Sequence, residues 1–242
     1  MRSSFILFAL AFVLSVSTAG AGTMPIPVCN TGVTADCTAL NTFPNFDAHF
    51  SLVQVPLVGT STQPAFTGPA FVTTQGFPLD GTAWIGNGPN SLWITPTANQ
   101  ADNVQASSNA DGILDYVYET TFDLPAGFLN AVLEGLWSTD NAGLAIVLNG
   151  HDLGASIPYG TSGNFSFQSF TAFSAADQSF FVAGTNALDF VVQNGNFAND
   201  TDGPSGLRVE FTNATFDTPE PATAGLLLLG VPVLWFLKRK IA

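Results

Sequence analysis

Apolar and polar residues alternate along several short stretches of this chain, and turn-forming residues separate them. The clearest stretches are 46–52, 116–122, 144–148, 188–192 and 207–211. A period of two places successive side chains on opposite faces of a half-buried strand. In the last stretch, Leu207 and Val209 share one face, while Arg208 and Glu210 share the other. The pattern predicts roughly eight to ten short strands.

The remaining segments also indicate an all-β fold. Trp84 and Trp93 flank a segment rich in Gly, Asn and Pro, which predicts a hairpin, and Phe165 and Phe167 alternate as in a strand. Residues 57–81 and 95–112 have the composition of long loops. Because no stretch has the pattern of a crossover helix, we expect an antiparallel jelly-roll sandwich at 42–216, after an irregular leader at 22–41.

Both ends of the chain are hydrophobic and predict sorting segments. Arg2, an apolar stretch and small residues up to Ala21 are typical of a signal peptide at 1–21, removed by signal peptidase. At the other end, the uncharged run 222–237 would span roughly 24 Å as a helix, somewhat less than a hydrocarbon core about 30 Å thick. We expect a single transmembrane helix there, with its basic end in the cytoplasm; an ordinary single-span anchor would have the same pattern.

Charge excludes several classes of partner. All 18 acidic residues of the chain lie within residues 22–221, where Arg208 is the one basic residue. Residues 22–221 therefore carry a formal charge of −17. One arginine cannot neutralise a nucleic-acid backbone. Anionic lipid surfaces are disfavoured by the same sign, while neutral glycans remain compatible. The acidity also keeps such a chain soluble through self-repulsion.

The two cysteines predict a disulfide. Cys29 and Cys37 are close in sequence, and an exported chain meets an oxidising space. Two cysteines with no neighbouring histidine do not predict a metal site. His49 and His151 are far apart in sequence, and neither has a partner at metal-ligand spacing.

Oxygen-bearing side chains cluster in two turn segments. Asp140-Asn141 follows a predicted strand, and Asn196, Asp200 and Asp202 crowd a Gly-rich loop. Calcium takes carboxylate and carbonyl oxygens from such loops, so Asp140, Asn196, Asp200 and Asp202 are candidate ligands of a structural Ca²⁺. Ordinary Asx turns have the same composition. No other cofactor is predicted.

Catalytic signatures are missing from the sequence. Glu119 and Glu134 are strand-borne carboxylates of the kind a glycosidase pairs, yet each also fits an outward polar position. The chain has no G-x-S-x-G nucleophile turn and no glycine-rich phosphate loop. We therefore expect no enzymatic activity and assign no catalytic residue.

A sugar site combines an aromatic platform with amide and carboxylate groups, because a pyranose has an apolar face and hydroxyl edges. Tyr159 follows Pro158 and precedes Gly160, which favours exposure of its ring. Asp140 and Asn141 would supply polar groups. Arg208 is either a donor to ligand hydroxyls or the partner of Glu210 or of a loop aspartate. The candidate ligand-binding residues are therefore Arg208, Tyr159, Asp140 and Asn141.

Two segments resemble known families. The segment 217–242 contains Pro219, Glu220 and Pro221, then the hydrophobic run, then Lys238, Arg239 and Lys240, and it resembles a PEP-CTERM sorting signal. That resemblance implies a bacterial protein, recognition by an exosortase, and removal or exchange of the tail during export. The segments 137–141, 148–150, 180–186, 188–192 and 206–210 together resemble a galactose-binding-like sandwich over 80–216, which implies a jelly-roll fold often used to bind sugars.

These observations predict an exported, non-enzymatic surface or exopolysaccharide-matrix protein with a weak carbohydrate-binding role. It would be anchored transiently in the inner membrane by its C-terminal segment and then reach the cell surface or extracellular matrix. One alternative is a purely structural spacer without a small ligand. A second alternative is a polysaccharide-processing enzyme.

Overall fold

The computed structural model describes residues 22–42, 45–56, 65–81, 83–107, 115–160, 165–195 and 203–218. The predicted signal peptide, the Pro-Glu-Pro motif and the predicted span 222–237 lie outside these ranges. Within them, no helix is long and apolar enough to cross a membrane. One compact unit extends over Thr23–Thr218.

Nearly all regular structure in the described part of the chain is β. The strands are β1 Gly22–Pro25, β2 Phe46–Gln54, β3 Gly68–Val72, β4 Ile94–Thr95, β5 Tyr116–Leu124, β6 Leu129–Asp140, β7 Ala142–Leu148, β8 His151–Asp152, β9 Thr171–Ala175, β10 Gly184–Gln193 and β11 Gly206–Thr218. Two 3₁₀ helices occupy Ser166–Gln168 and Gln178–Phe180. The alternating patterns at β5, β7, β10 and β11 predicted these strands correctly.

The strands form one curled antiparallel sheet in the order β8-β7-β10-β5-β2-β3-β4-β11-β6-β9, with β1 added beside β11. Two layers result, because β6 and β9 pack against β10 across the core. The Trp137 ring lies 6.0 Å from Phe190, and the Phe173 ring lies 5.8 Å from Phe190. This arrangement confirms the predicted antiparallel β-sandwich.

The core is built from the inward members of the alternating stretches. Tyr116 and Tyr118 of β5, Phe190 of β10 and Trp137 of β6 are fully buried. Gly143 lies so close to Trp137 that a Cβ there would collide with the indole ring. Aromatic rings of this size bury large apolar areas, which is the main stabilising contribution in a sandwich core.

The alternation in the first half of β2 predicted the wrong face. Phe46 is 56% exposed, whereas Asp47 is buried. The Asp47 carboxylate accepts hydrogen bonds from the backbone N–H groups of Gly32 at 2.5 Å and of His49 and Phe50 at 2.8 Å. These three donors compensate the burial of the carboxyl group, so the pairing register shifts and the usual alternation begins only at Phe50.

Three local predictions were also wrong. The segment between Trp84 and Trp93 is not a hairpin; the two indoles pack together at 4.4 Å in a small second hydrophobic cluster. Phe167 lies in a 3₁₀ helix and packs against that cluster. The strand β3 occurs inside a segment predicted to be a loop, because it is only five residues long and contains a proline.

The segment 22–41 packs against the sandwich. It begins with β1, which pairs with β11, and Ile26 donates its N–H to the Ala214 carbonyl at 2.9 Å. The Thr31 hydroxyl donates to the Leu92 carbonyl at 2.7 Å. Cys29 and Cys37 form a disulfide with a Cα–Cα distance of 5.6 Å.

Candidate functional site

The candidate site lies where β6 ends and the chain crosses to β7. Asn141 is the residue between the two strands. Its N–H donates to the Gln193 carbonyl at 2.8 Å, and its side-chain Oδ1 accepts from the Gly195 N–H at 2.6 Å. The end of β10 therefore holds Asn141 in place on two sides.

A second segment brings an aromatic ring to the same end. Gly143 and Ile157 exchange backbone hydrogen bonds of 3.0 and 2.7 Å in an antiparallel bridge. Asn141 is two residues before Gly143, and Tyr159 is two residues after Ile157. Because the pair is antiparallel, both backbones extend from the bridge toward the same end of the sandwich. The Ser166 hydroxyl also donates to the Asn141 carbonyl. Tyr159 is 41% exposed, so an exposed aromatic residue follows the bridge two residues after Ile157.

Asp140 lies directly behind this turn and is only 5% exposed. Its Oδ2 accepts a 2.7 Å hydrogen bond from the Trp84 indole, and its backbone carbonyl accepts from the Ser205 hydroxyl at 2.8 Å. Burial raises the pKa of the Asp140 carboxyl to about 7, although the Trp84 hydrogen bond acts in the opposite direction. A carboxyl with this pKa exchanges its proton near neutrality.

Several buried polar atoms at this end have no hydrogen-bond partner among the described residues. They include Asp140 Oδ1 and Trp137 Nε1 at the end of β6, and Gln193 Nε2 and Asn194 Oδ1 at the end of β10. Buried polar groups are normally paired with protein or ordered water. This end of the sandwich is therefore polar inside as well as at its surface.

Arg208 lies on β11 beside β6 but does not line an open groove. It is 4% exposed, and its guanidinium donates to Ser91 Oγ at 2.7 Å, to the Gly86 carbonyl at 2.5 Å and to Glu210 Oε1 at 3.0 Å. Its Cζ lies 4.8 Å from the centre of the Phe170 ring. Of the two interpretations of Arg208, the structure shows the pairing with Glu210.

Of the four predicted calcium ligands, only Asp140 lies among the described residues. Asn196, Asp200 and Asp202 lie outside the described residues, so the calcium site stays a prediction. Asp140 supplies one buried carboxyl. A different group in the described part of the chain has the spacing of a metal site. It consists of Cys29, Cys37 and His49.

Glu119 and Glu134 point away from the core on different layers. Glu119 lies between the buried residues Tyr118 and Thr120 of β5, and its charge adds to the desolvation that raises the pKa of Asp189 to about 6. Glu134 is exposed on β6, accepts a 3.2 Å hydrogen bond from Asn213 and lines a groove of about 480 Å³. Carboxylates on opposite outer surfaces cannot flank one glycosidic bond.

Sequence reasoning missed the contribution of Ser166 and Trp84 to the site. Both contact the turn at 140–141 through long-range hydrogen bonds, for which a single sequence carries no local signal. It also missed His49, whose Nε2 atom lies 3.7 Å from the Sγ atom of Cys37.

The fold and this site define a β-sandwich domain with a polar, aromatic-bearing end. No protein-family model matches the chain, and no curated protein matches it significantly. Among solved structures, it is similar to a family 35 carbohydrate binding module from an environmental isolate. The two are 12% identical, the match covers 72% of this chain and 98% of that chain, and the TM-score is 0.29.

Proposed function

We propose that this chain is an exported, non-enzymatic surface or exopolysaccharide-matrix protein whose sandwich binds neutral glycan weakly at the turn formed by Asn141 and Tyr159. Two observations support this proposal: Tyr159 is 41% exposed, and the backbone bridge between Gly143 and Ile157 lies two residues from both Tyr159 and Asn141. Hydrogen bonds with Gln193, Gly195 and Ser166 hold Asn141 in place. An aromatic face next to fixed amide groups offers a pyranose both of the surfaces it needs.

The negative charge of the protein favours neutral glycans over acidic ones as the proposed ligand. With a formal charge of −17 over residues 22–221, the body of the protein repels acidic polymers. Its single cation, Arg208, is already engaged by Glu210, Ser91 and Gly86. Uncharged sugars meet no such repulsion.

The groove beside Glu134 is a weaker candidate for the same role. Ser174 and Thr212 offer hydroxyl groups there, but the aromatic ring at its wall, Phe173, is buried. Without an open ring, the apolar face of a sugar has no platform. The separation of Glu119 from Glu134 also favours binding without hydrolysis.

The proposed sorting route fits the boundaries of the compact unit. Signal peptidase would cleave after Ala21, just before β1, and exosortase would act near Pro219-Glu220-Pro221, just after β11 ends at Thr218. Neither step would remove a strand. We propose that the hydrophobic segment holds the chain in the inner membrane until this processing, after which the sandwich reaches the surface or matrix.

We expect the exported protein to be retarded in native gels that contain a neutral polysaccharide, and Tyr159→Ala to weaken this retardation roughly three- to tenfold. Loss of one aromatic stacking contact accounts for that magnitude. Affinity electrophoresis against a panel of neutral polymers measures it. Tyr159→Phe keeps the ring and should retain most of the binding.

Leu129→Ala provides a matched control, since Leu129 is 52% exposed at the start of β6, at the opposite end of that strand from Asp140. It should leave retardation unchanged. Equal losses in the Leu129 and Tyr159 variants would refute the proposed site. Absence of retardation by every neutral polymer would refute glycan binding and leave the spacer alternative.

A further inference from the structure

The disulfide has a histidine beside it that the sequence does not reveal. Cys29, Cys37 and His49 place one potential ligand atom each within 4.8 Å of one another. His49 belongs to β2, whereas both cysteines belong to the segment before it. Cys29 is buried and Cys37 is exposed, so the group lies at the protein surface with one side closed.

We propose that Cys29, Cys37 and His49 form a redox-gated site for a thiophilic cation such as Zn²⁺, closed while the disulfide is intact and open once it is reduced. Two thiolates and one imidazole are ligands that Zn²⁺ prefers, and a water molecule would complete a tetrahedral set. Nothing in this inference depends on glycan binding.

The spacing of the ligand atoms suits such a cation. Zinc–sulfur bonds of about 2.3 Å and zinc–nitrogen bonds of about 2.0 Å in a tetrahedron put S and N roughly 3.6 Å apart. Cys37 Sγ and His49 Nε2 already lie 3.7 Å apart. All three ligand atoms lie within 4.8 Å of one another, so side-chain rotations that move the two sulfur atoms apart after reduction would complete the set.

The arrangement does not depend on the disulfide alone. The buried Asp47 carboxylate accepts the Gly32 N–H at 2.5 Å through Oδ2, and the His49 N–H at 2.8 Å through Oδ1. It thereby ties the cysteine-bearing segment to the strand that carries His49. Backbone hydrogen bonds from Thr34 to Ala39 and from Asn41 to Gly32, both 2.8 Å, hold the same segment. We expect the three side chains to stay together after reduction.

The chemistry balances with a dithiol or phosphine as reductant. A dithiol supplies two electrons and two protons and becomes a disulfide. A phosphine supplies two electrons and becomes the phosphine oxide by taking the oxygen of a water molecule, whose two protons complete the thiols. On binding the cation, each thiol releases its proton to solvent. His49 Nε2 now lies 3.0 Å from the Thr34 carbonyl; it would give up that contact, and its lone pair would face the metal, with the ring proton on Nδ1.

The test uses the full-length chain in mild detergent, reduced with a phosphine and freed of excess reductant. Titration with Co²⁺, a spectroscopic stand-in for Zn²⁺, should give thiolate charge-transfer and tetrahedral ligand-field bands that saturate at one equivalent and disappear when Zn²⁺ is added. The oxidised chain should give none. A reduced chain that gives no such bands would overturn the proposal.

Variants separate the site from general metal binding. His49→Ala should weaken Co²⁺ binding by more than the roughly tenfold that loss of an outer-shell partner costs. His151→Ala is the matched control, because His151 stacks on Phe180 at 4.7 Å and should not affect binding. Circular dichroism of each reduced variant checks that it is folded. Unchanged affinity in a folded His49→Ala variant would overturn the proposal.

Discussion

Replacing Arg208 with alanine is expected to lower the free energy of unfolding by about 3 kcal/mol, since removing one member of a buried ion pair has costs of this order. The change leaves the Gly86 carbonyl without its donor and leaves the Glu210 carboxylate, which is itself largely buried, with Ser91 as its remaining partner. It also removes the contact with Phe170. Urea unfolding followed by tryptophan fluorescence measures the loss.

The controls for Arg208 use the same network. Arg208→Lys keeps the charge but cannot reach Ser91, Gly86 and Glu210 together, so it should lose most of the same stability. Arg208→Ala combined with Glu210→Ala should cost less than the two single changes added together. A loss below about 0.5 kcal/mol, typical of surface positions, would contradict the structural role of Arg208.

Lowering the pH from 8 to 5 is expected to stabilise the fold by about 2.5 kcal/mol through Asp140. Burial raises the pKa of this carboxyl from 3.8 to about 7 in the folded state, so folding favours the protonated form. Stability from this group is complete below pH 3.8 and is lost as the pH rises through 7. Asp189, half-buried and with its pKa raised to about 6, adds a smaller effect of the same sign.

Asp140→Asn isolates this effect. The amide can still accept the Trp84 hydrogen bond but carries no proton to lose, so the variant should show a flatter stability profile between pH 5 and 8. Asp152→Asn removes one negative charge from an exposed position and should keep the wild-type slope. Thermal unfolding across this pH range provides the comparison. An Asp140→Asn profile parallel to that of the wild type would show that another group carries the pH dependence.

The strands that sequence patterns predicted are those whose faces divide into core and solvent. Tyr116, Tyr118 and Phe122 of β5 alternate with polar neighbours because the core lies on one side only. Asp47 breaks the pattern in β2 because its three hydrogen-bond donors include Gly32, on a distant segment. Tryptophan is common in strands, but Trp84 packs on Trp93 in the small second hydrophobic cluster, outside the main core.

The candidate site residues could be named one by one from the sequence, but their arrangement could not. Composition favoured Asp140, Asn141 and Tyr159 separately, while the bridge between Gly143 and Ile157 brings the last two to one end. Such pairings are determined by the tertiary fold. The same is true of His49, whose distance from Cys37 depends on Asp47.

The most direct test of the account is an NMR titration of the ¹⁵N-labelled exported protein with neutral oligosaccharides. We predict saturable amide shifts concentrated at Asn141, Gly143, Ile157 and Tyr159, and a roughly three- to tenfold higher sugar concentration at half-saturation in Tyr159→Ala. Shifts confined to residues other than these four, or no shifts with any neutral sugar, would contradict it.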